Sequence, residues 1–481
     1  MTLTERIKIG VIWSFAEQLA IRGIGIFVTL FLTHILPPED YGILAMMALF
    51  LGLASGLMDL GISEALIRLE IVNEEDLSTA FIMNILFGIV AYVILFFSAP
   101  LISYFYNEKI LLELLRVTGL VVFINAFMNI QRVIFTRNLN FKVQLKASVP
   151  AAVISGLSAV LLAYSNFGVW ALVSQLIIPI FIMTVILWFE SSWRPVLNFS
   201  MASFTRLFMF GYKIYISFVL AIISKNIIIF FIAKSFGVTV VGMYYLVDKI
   251  MDALMGQLVY SVQKVSFPAL ASIQDDNLHL KESYRKIIKI VTFILFPVLM
   301  FGVALSGLIF KSFFSEQWWP ASTYFQIMCF GFIFYPLHAI NLNILKVKGR
   351  SDLFLKLELV KVITSVTLLL LALPYGIEAV LWSQVLSSIL AYIPNSYYSA
   401  VLIDYPLMQQ VKDFFPSLAL LLIISPVLYV LQEFTVVNSS FMLFYLTIFG
   451  SVLYLGASKV LQIKSFEMLL SVLRKKETLP D

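Results

Sequence analysis

Long apolar segments alternate with short polar ones along the whole chain. Each apolar segment has roughly 20 residues or more, which is the length that a helix needs to cross the hydrocarbon core of a bilayer. Apolar residues run through these segments continuously, whereas the strands of an outer-membrane barrel alternate apolar and polar positions. The pattern therefore predicts an all-α integral membrane protein with fourteen transmembrane helices. These predicted helices lie at about residues 9–32, 42–66, 78–103, 110–130, 147–165, 168–189, 206–233, 240–262, 287–310, 320–345, 354–373, 376–402, 412–431 and 441–458.

The composition fits this class and excludes a large soluble catalytic domain. Of the 481 residues, 61% are hydrophobic and only 13% are charged, which is about half the charged share of a soluble protein. One cysteine and three histidines suggest neither a disulfide nor a metal site. We therefore expect no metal, no cofactor and no enzymatic activity.

The basic residues are distributed unequally between the two sides of the predicted membrane. With the N-terminus placed in the cytoplasm, 24 Lys and Arg residues fall in inner segments, and only Lys109, Lys234 and Lys311 fall in outer segments. Such an excess is typical of cytoplasmic loops. It predicts cytoplasmic N- and C-termini, and it explains the net charge of +5 without a nucleic-acid partner.

Two stretches of sequence recur about 200 residues apart. Leu36–Gly42 is matched by Phe236–Gly242, and Gly168–Gln175 is matched by Gly376–Gln384. Matching helices lie six apart, an even number, so they keep the same orientation and the repeats are parallel. We expect two parallel six-helix lobes, two additional transmembrane helices and a basic amphipathic tail on the cytoplasmic leaflet. The predicted domains are residues 1–196, 197–403, 404–461 and 462–481.

Three N-terminal motifs resemble a known family. They are Gly10–Ser14 (GVIWS), Leu36–Gly42 (LPPEDYG) and Asp59–Arg68 (DLGISEALIR). They are similar to those of the Wzx-type, colanic-acid-exporter-like polysaccharide transporters of the multidrug/oligosaccharidyl-lipid/polysaccharide exporter superfamily. The resemblance implies translocation of an undecaprenyl-diphosphate-linked oligosaccharide to the outer leaflet of a bacterial inner membrane by alternating access. The product would be O-antigen, capsule or exopolysaccharide, and the implied partners are this substrate, membrane lipids and polysaccharide polymerase machinery.

Charged and amide side chains within the predicted helices are the candidate substrate-binding residues. A charge at mid-bilayer is costly and indicates a functional site by default, and Arg and Lys are suited to a diphosphate. Amides suit sugar hydroxyls, although polar contacts between helices use the same residues. For Arg22 the alternative is a structural pair with Glu17 or with an acid on the second helix. The candidates are Arg22, Gln18, Lys213, Lys225, Asn125, Asn129, Arg132 and Asn341.

The cationic candidates form comparable stripes on the first and seventh helices. Gln18 and Arg22 are four residues apart and share one face of the first helix. Lys213 begins a matching polar stripe on the seventh helix, and Lys225 lies one position beyond the end of that stripe. The two predicted lobes therefore offer similar surfaces to an anion.

Acidic residues in or beside the helices are the candidates for coupling to H⁺ or Na⁺. Asp248 and Asp252 share a helix face, and like charges one turn apart disfavour double ionisation. A salt bridge to Lys249 or Lys225 explains this pair equally well, because structural ion pairs perturb acids just as functional ones do. The ion-coupling candidates are Asp248, Asp252, Asp59, Glu17 and Glu64.

Three other functions compete with polysaccharide export. A multidrug exporter of the same superfamily would favour an apolar, acidic cavity, and the cationic stripes argue against it. A lipid II flippase is chemically close and stays open. A membrane glycosyltransferase or polymerase would be expected to carry acids or basic clusters on a large outer loop, whereas every predicted outer segment is short.

The predicted topology can be tested with reporter fusions. Reporters placed after Ile35, Asn107 and Phe314 should be active only outside the cytoplasm, whereas reporters after Asn140, Asn277 and Arg350 should be active inside. The unequal distribution of basic residues is the physical reason. A cytoplasmic signal from any of the first three fusions, or an outer signal from any of the last three, would contradict the predicted topology and the repeat assignment that depends on it.

Overall fold

The described residues of this computed structural model, 3–433 and 439–475, are folded into α-helices with short 3₁₀ and π segments and no strand. Within this part of the chain, thirteen helices are long and apolar enough to cross a membrane. The all-α membrane fold is thus confirmed. The helices are α1 (Leu3–Leu32), α2 (Pro38–Asp59), α3 (Ile62–Arg68), α4 (Glu74–Tyr106), α5 (Ile110–Thr118), α6 (Leu120–Arg137), α7 (Phe141–Tyr164), α8 (Val169–Glu190), α9 (Met201–Phe236), α10 (Val238–Met251), α11 (Gln257–Ala271), α12 (Asn277–Phe313), α13 (Ala321–Phe332), α14 (Tyr335–Val347), α15 (Ser351–Ala372), α16 (Ile377–Ile403), α17 (Leu407–Glu433), α18 (Ser439–Val460) and α19 (Lys464–Lys475).

Of the fourteen predicted spans, the one at 240–262 is the one that matches none of these thirteen helices. It is built from α10, a π-helical turn at Asp252–Gly256 and α11, and it is not among the helices that meet the length and hydropathy criteria in the described residues. The number fourteen therefore stays a prediction. Of the predicted amphipathic tail, α19 is described and residues 476–481 lie outside the described residues.

The chain divides into two compact units, residues 1–242 and 243–481. The first unit holds the six helices predicted for the N-terminal lobe together with α9, the first helix of the predicted second lobe. Within this unit α9 packs along α2, α3 and α4. The second unit holds α10 from residue 243 onward and the helices that follow it, including the two additional ones, α17 and α18.

In the first unit, the two copies of the repeated motif touch each other. The Oγ1 atom of Thr239 donates a hydrogen bond of 2.6 Å to Oε1 of Glu39, exactly 200 residues earlier. Beside this bond, a Cβ atom on Gly42 would overlap the carbonyl of Val238, and a Cβ on Gly242 would overlap the carbonyl of Pro38. Glycine at both positions thus allows the first turns of α2 and α10 to cross at backbone contact.

A second glycine contact joins the corner between α2 and α3 to α9. Leu60 and Gly61 have φ angles of 48° and 70°, in the left-handed region that glycine adopts without steric cost. The backbone of Gly61 lies against the backbone of Gly211, and a Cβ on either residue would meet a carbonyl oxygen of the other segment. This contact fixes α9 against the start of α3.

The first turns of α4 and α9 are joined by a buried carboxylate. Asp76 is 1% exposed, accepts a 2.6 Å hydrogen bond from Ser203 Oγ and pairs with the guanidinium of Arg206. Its other oxygen closes a capping box with the backbone N–H of Asn73. Because each oxygen of the carboxylate has a donor, the burial of this charge is compensated.

The second unit is organised around α12, which carries α17 and α18 on one side. Phe296 of α12 packs edge-to-face on Phe414 of α17 at 5.8 Å, and Tyr454 of α18 donates a hydrogen bond to the carbonyl of Phe293. The opposite faces of α17 and α18 are exposed and apolar, including Ile423 and Val452. This one-sided packing is what two peripheral helices in contact with lipid require.

One buried ion cluster anchors α17 to α12. Asp413 accepts two hydrogen bonds from Arg285, at 2.7 and 2.9 Å, and one from Tyr405 at 2.7 Å. Lys289, itself 7% exposed, lies 3.0 Å from the same carboxylate. The single negative charge therefore compensates two cations, one of which is buried.

Removing this carboxylate should destabilise the second unit. In Asp413→Ala, the buried ammonium of Lys289 loses its partner, and breaking a buried pair in this way costs roughly 3 to 5 kcal/mol. The matched control is Asp404→Ala, which removes an aspartate that is 92% exposed and pairs with Lys281, and which should cost about 1 kcal/mol or less. Unfolding of the purified variants in one detergent compares them, and equal losses would contradict the assignment.

Candidate functional site

The helix α1 packs on α7 through one face only. Val28 lies where a Cβ on Gly156 of α7 would meet it. Glu17 lies within hydrogen-bonding reach of Ser148 of α7 and within electrostatic reach of Arg132 of α6. The partners of Glu17 are therefore on α6 and α7, and the sequence alternative that pairs it with Arg22 is not the arrangement seen here.

Arg22 occupies the other side of α1, at the middle of its apolar span. The span runs from Ile12 to Leu32, so ten residues lie on each side of Arg22. It is more than a third of a turn from Glu17 and is exposed, as is Gln18 one turn earlier. Among the described residues, Arg22 has no ion pair or hydrogen bond from its side chain. Arg22 is thus a mid-span charge without a counter-charge among the described residues.

The two lysine candidates of α9 lie on different faces of that helix. Phe218 and Ile222 fill the groove left by Gly56 and Gly52 of α2, and Lys225 lies seven residues after Phe218, near the same face. Lys213 lies nine residues before Ile222, which is half a turn away. Both lysines are exposed.

Asp59 forms a compact polar cluster at the corner of α2 and α3. Its Oδ1 atom accepts hydrogen bonds of 2.6 Å from Ser63 Oγ and 2.6 Å from Asn129 Nδ2. Asn129 also donates to Ser63 at 2.8 Å. Glu64 adjoins this cluster and interacts electrostatically with Asp59. Three of the predicted residues, one assigned to substrate and two to ions, are thus brought together.

The other candidates of α6 flank this cluster. Asn125 is half-buried one turn before Asn129, and Arg132 is exposed three residues after it. Arg132 also lies within electrostatic reach of Glu17. The helix α6 therefore interacts both with the Asp59 cluster and with Glu17 of α1.

In the second unit, Asp248, Lys249 and Asp252 form a charged group at the junction of α10 and the π-helical turn. The Nζ atom of Lys249 lies 5.1 Å from the ring centroid of Tyr245, and Lys249 interacts electrostatically with both aspartates. Asp252 is exposed and begins the π-helical turn. Turns of this kind occur as local insertions that often mark functional positions.

Asn341 is buried in a network that joins helices. It is 1% exposed, and its Oδ1 atom accepts hydrogen bonds from Tyr284 at 2.8 Å and Ser399 at 2.5 Å. Its Nδ2 atom donates to Gln410 at 3.1 Å. Because its donor and acceptor groups are occupied by α12, α16 and the start of α17, this geometry favours the structural alternative for Asn341 over a sugar contact.

Two members of these groups were missed by the sequence interpretation. Ser63 links Asp59 to Asn129, and the spacing of four between Asp59 and Ser63 was the available signal. Tyr245 borders Lys249, again four residues away. Both spacings place side chains on one helix face, but neither residue type is distinctive enough to be chosen without its partner.

Comparison with known proteins agrees with the motifs. The family described as "Polysaccharide biosynthesis protein" matches residues 31–323. The teichuronic acid biosynthesis protein TuaB of Bacillus subtilis is 25% identical over 62% of this chain and 62% of its own length. The lipopolysaccharide biosynthesis protein WzxC of Escherichia coli is 24% identical over 75% of this chain and 74% of its own. The chain thus spans less than two thirds of TuaB and about three quarters of WzxC.

Two solved structures with the same fold are those of a lipid flippase and a multidrug transporter. A structure titled lipid II flippase MurJ, inward closed conformation, has a TM-score of 0.75 at 16% identity, covering 94% of this chain and 98% of that one. An inward-facing multidrug resistance transporter of the MATE family has a TM-score of 0.61 at 14% identity, covering 82% and 98%. At these identities the likeness establishes the fold. The family match extends over more than half of the sequence, and the chain belongs to the polysaccharide biosynthesis protein family.

Proposed function

We propose that this protein is a flippase of the bacterial inner membrane that moves an undecaprenyl-diphosphate-linked oligosaccharide to the outer leaflet by alternating access, for the synthesis of a surface polysaccharide. The observation that carries the proposal is Arg22, an exposed guanidinium at the middle of a transmembrane span. Family membership and the transporter fold support the same function.

The energetics of Arg22 favour a surface that contacts water or an anionic ligand. A guanidinium facing hydrocarbon at mid-span is costly, and side chains of this kind face a protein interior or a water-filled cavity. A diphosphate offers planar, bidentate acceptors for its N–H donors. Arg22 thus supplies the contact that holds the charged head of the substrate, while the lipid chain stays in the bilayer.

Neighbouring polar groups suit the sugar portion. Gln18 is exposed one turn from Arg22, and Asn125 is half-buried on α6. Amide side chains both donate and accept hydrogen bonds, which matches sugar hydroxyls. Lys225 and Lys213 add cationic positions on two faces of α9, so the head group can meet a cation as the helices around it move.

The proposed transport is coupled to the movement of H⁺ or Na⁺. A cationic cavity that has released a dianion needs a change of charge before it returns empty. Asp252 is exposed, lies next to Lys249 and begins a π-helical turn, so a cation bound there alters both the local charge and the local backbone. Asp248 and the Asp59 cluster are the secondary candidates.

Removal of the cations should abolish export. In a strain whose own copy is deleted, Arg22→Ala and Lys225→Ala should leave lipid-linked oligosaccharide in the inner leaflet, because each variant loses a charge-assisted contact worth about 1.5 to 3 kcal/mol. Arg22→Lys should keep partial function, since a point charge replaces a bidentate donor. Mass spectrometry of the accumulated lipid also identifies the substrate, and accumulation of lipid II in its place would favour that alternative.

Lys412→Ala is the matched control for these variants. Lys412 is exposed and lies in a predicted cytoplasmic segment, so its loss removes one positive charge without touching α1 or α9. The Lys412→Ala variant should export the substrate normally at equal abundance in the membrane. Normal export by both Arg22→Ala and Lys225→Ala would show that the cations are irrelevant to the substrate.

Neutralising Asp252 should weaken the dependence of transport on an ion gradient. In proteoliposomes, Asp252→Asn should slow translocation and flatten its response to a H⁺ or Na⁺ gradient, and Asp248→Asn and Asp59→Asn should do so less. Asp404→Asn is the control, because Asp404 is 92% exposed and pairs with Lys281. A double variant of Asp248 and Asp252 with an unchanged gradient response would remove this pair from the mechanism.

A further inference from the structure

A pocket of about 530 Å³ opens between the end of α3 and the first turns of α9, and none of the candidate substrate-binding or ion-coupling residues is in its lining. Its floor is formed by Ala65 and Leu207, which are buried. Two guanidinium groups, those of Arg68 and Arg206, line it from opposite helices, with the ring of Phe210 beside them. The remaining lining residues are Leu69, Glu70 and Ile71.

Arg68 is oriented by an aromatic ring and not by an acid. Its Cζ atom lies 4.5 Å from the ring centroid of Phe210, and within the described part of the chain its side chain forms no hydrogen bond or ion pair. A stacked guanidinium keeps its edge N–H groups available for a planar acceptor. Arg68 therefore presents a full positive charge whose hydrogen-bond donors are unused.

Arg206 is held in place by one bond and keeps other donors free. The bond from its Nη2 atom to the buried Asp76 anchors the guanidinium, while the side chain as a whole is 50% exposed. An arginine has five N–H donors, so most of them remain for a ligand. The anchor reduces the conformational entropy that binding would otherwise cost.

The C-terminal carbonyls of α3 do not repel an anion, because Arg137 occupies them. Its guanidinium donates to the carbonyl oxygens of Leu66 and Ile67 in the last turn of α3, which would otherwise form the negative end of the helix. It also donates to the carbonyl oxygens of Leu69 and Glu70 just after the helix. Glu70 is the one carboxylate in the lining, and it is exposed. The pocket therefore has an excess of positive charge.

Large apolar side chains are exposed beside this polar pocket. Ile71, in its lining, is 76% exposed, and in the segment that leads into α9 Leu197 is 94% exposed and Met201 67%. Hydrogen bonds to Ser78 and Thr79 hold that segment on α4. Both arginines lie in segments predicted to be cytoplasmic, so a basic pocket with an apolar border here has the chemistry of a lipid head-group site.

We propose that this pocket binds the phosphate group of an anionic membrane lipid at the inner leaflet, through Arg68 and Arg206. A phosphate bound by both guanidiniums bridges α3 and α9 next to the Gly61 and Gly211 contact, and it stabilises that contact by mass action. A soluble phosphate has the same chemistry, and the experiment distinguishes the two sources. The inference concerns binding only, so it does not depend on the proposed transport function.

The test uses the full chain in detergent, titrated with short-chain phosphatidylglycerol, with phosphatidylcholine of the same chain length, and with inorganic pyrophosphate. Hydrogen–deuterium exchange of residues 62–71 reports on the site, and the thermal shift gives the apparent affinity. Phosphatidylglycerol should protect this segment more strongly than phosphatidylcholine. Protection by pyrophosphate alone would assign the pocket to a soluble phosphate source and overturn the lipid assignment.

Two variants with opposite expected effects on phosphatidylglycerol binding make the test specific. Arg68→Gln should weaken phosphatidylglycerol binding roughly tenfold or more, because it removes a charge-assisted contact, whereas Glu70→Gln should tighten it. Lys286→Gln, which removes an exposed cation of α12, should bind as the unmodified chain does. Equal binding of phosphatidylglycerol by all three variants, or equal protection by phosphatidylcholine, would overturn the proposal. Glu70→Gln keeps the test decisive if Arg68→Gln folds poorly.

Discussion

The cost of a charge without a partner in a low-dielectric medium determines where each ionisable group of this protein lies. Inside hydrocarbon or a packed helix bundle, a charge needs either a counter-charge with hydrogen bonds or access to water. Asp76 and Asp413 have a counter-charge and hydrogen bonds, since each is buried and surrounded by donors. Arg22, Lys213 and Lys225 have no ion pair within the described part of the chain, and their side chains are exposed. The paired groups hold helices together, whereas the proposed function assigns the exposed ones to an anionic ligand.

The sequence predicts most of the fold because hydrophobic length and the placement of basic residues act locally. A run of 20 apolar residues forms a helix in a membrane whatever its neighbours do, since its backbone has no other way to satisfy its hydrogen bonds. Local breaks within a span are harder to read. The corner at Leu60 and Gly61 divides the predicted span 42–66, and the π-helical turn interrupts 240–262. Both are local changes of backbone conformation, which a hydropathy pattern does not detect.

The site is less predictable because it depends on pairs that are distant in sequence. Asn129 and Asp59 are 70 residues apart, and Asn341 and Gln410 are 69 apart. A polar residue in an apolar helix looks the same whether it binds a substrate or a neighbouring helix, so only the packing assigns Asn341 to the buried network. The helical face of Glu17 was likewise fixed by contact with α7 and not by its own spacing. Arg22 could be chosen as a candidate from the sequence alone, because its position at mid-span is itself the signal.

The contact between Glu39 and Thr239 joins matching positions of the repeated motif through two chemically different residues. In an isologous dimer, a residue on the two-fold axis would instead meet its own copy. In such a dimer of identical six-helix subunits, a glutamate at this position would meet another glutamate, and the two like charges would repel each other. In a single polypeptide that restriction does not apply, because each copy of the motif is encoded separately. The carboxylate of Glu39 can then accept a hydrogen bond from the hydroxyl of Thr239, an asymmetric pairing that two identical subunits cannot form at equivalent positions.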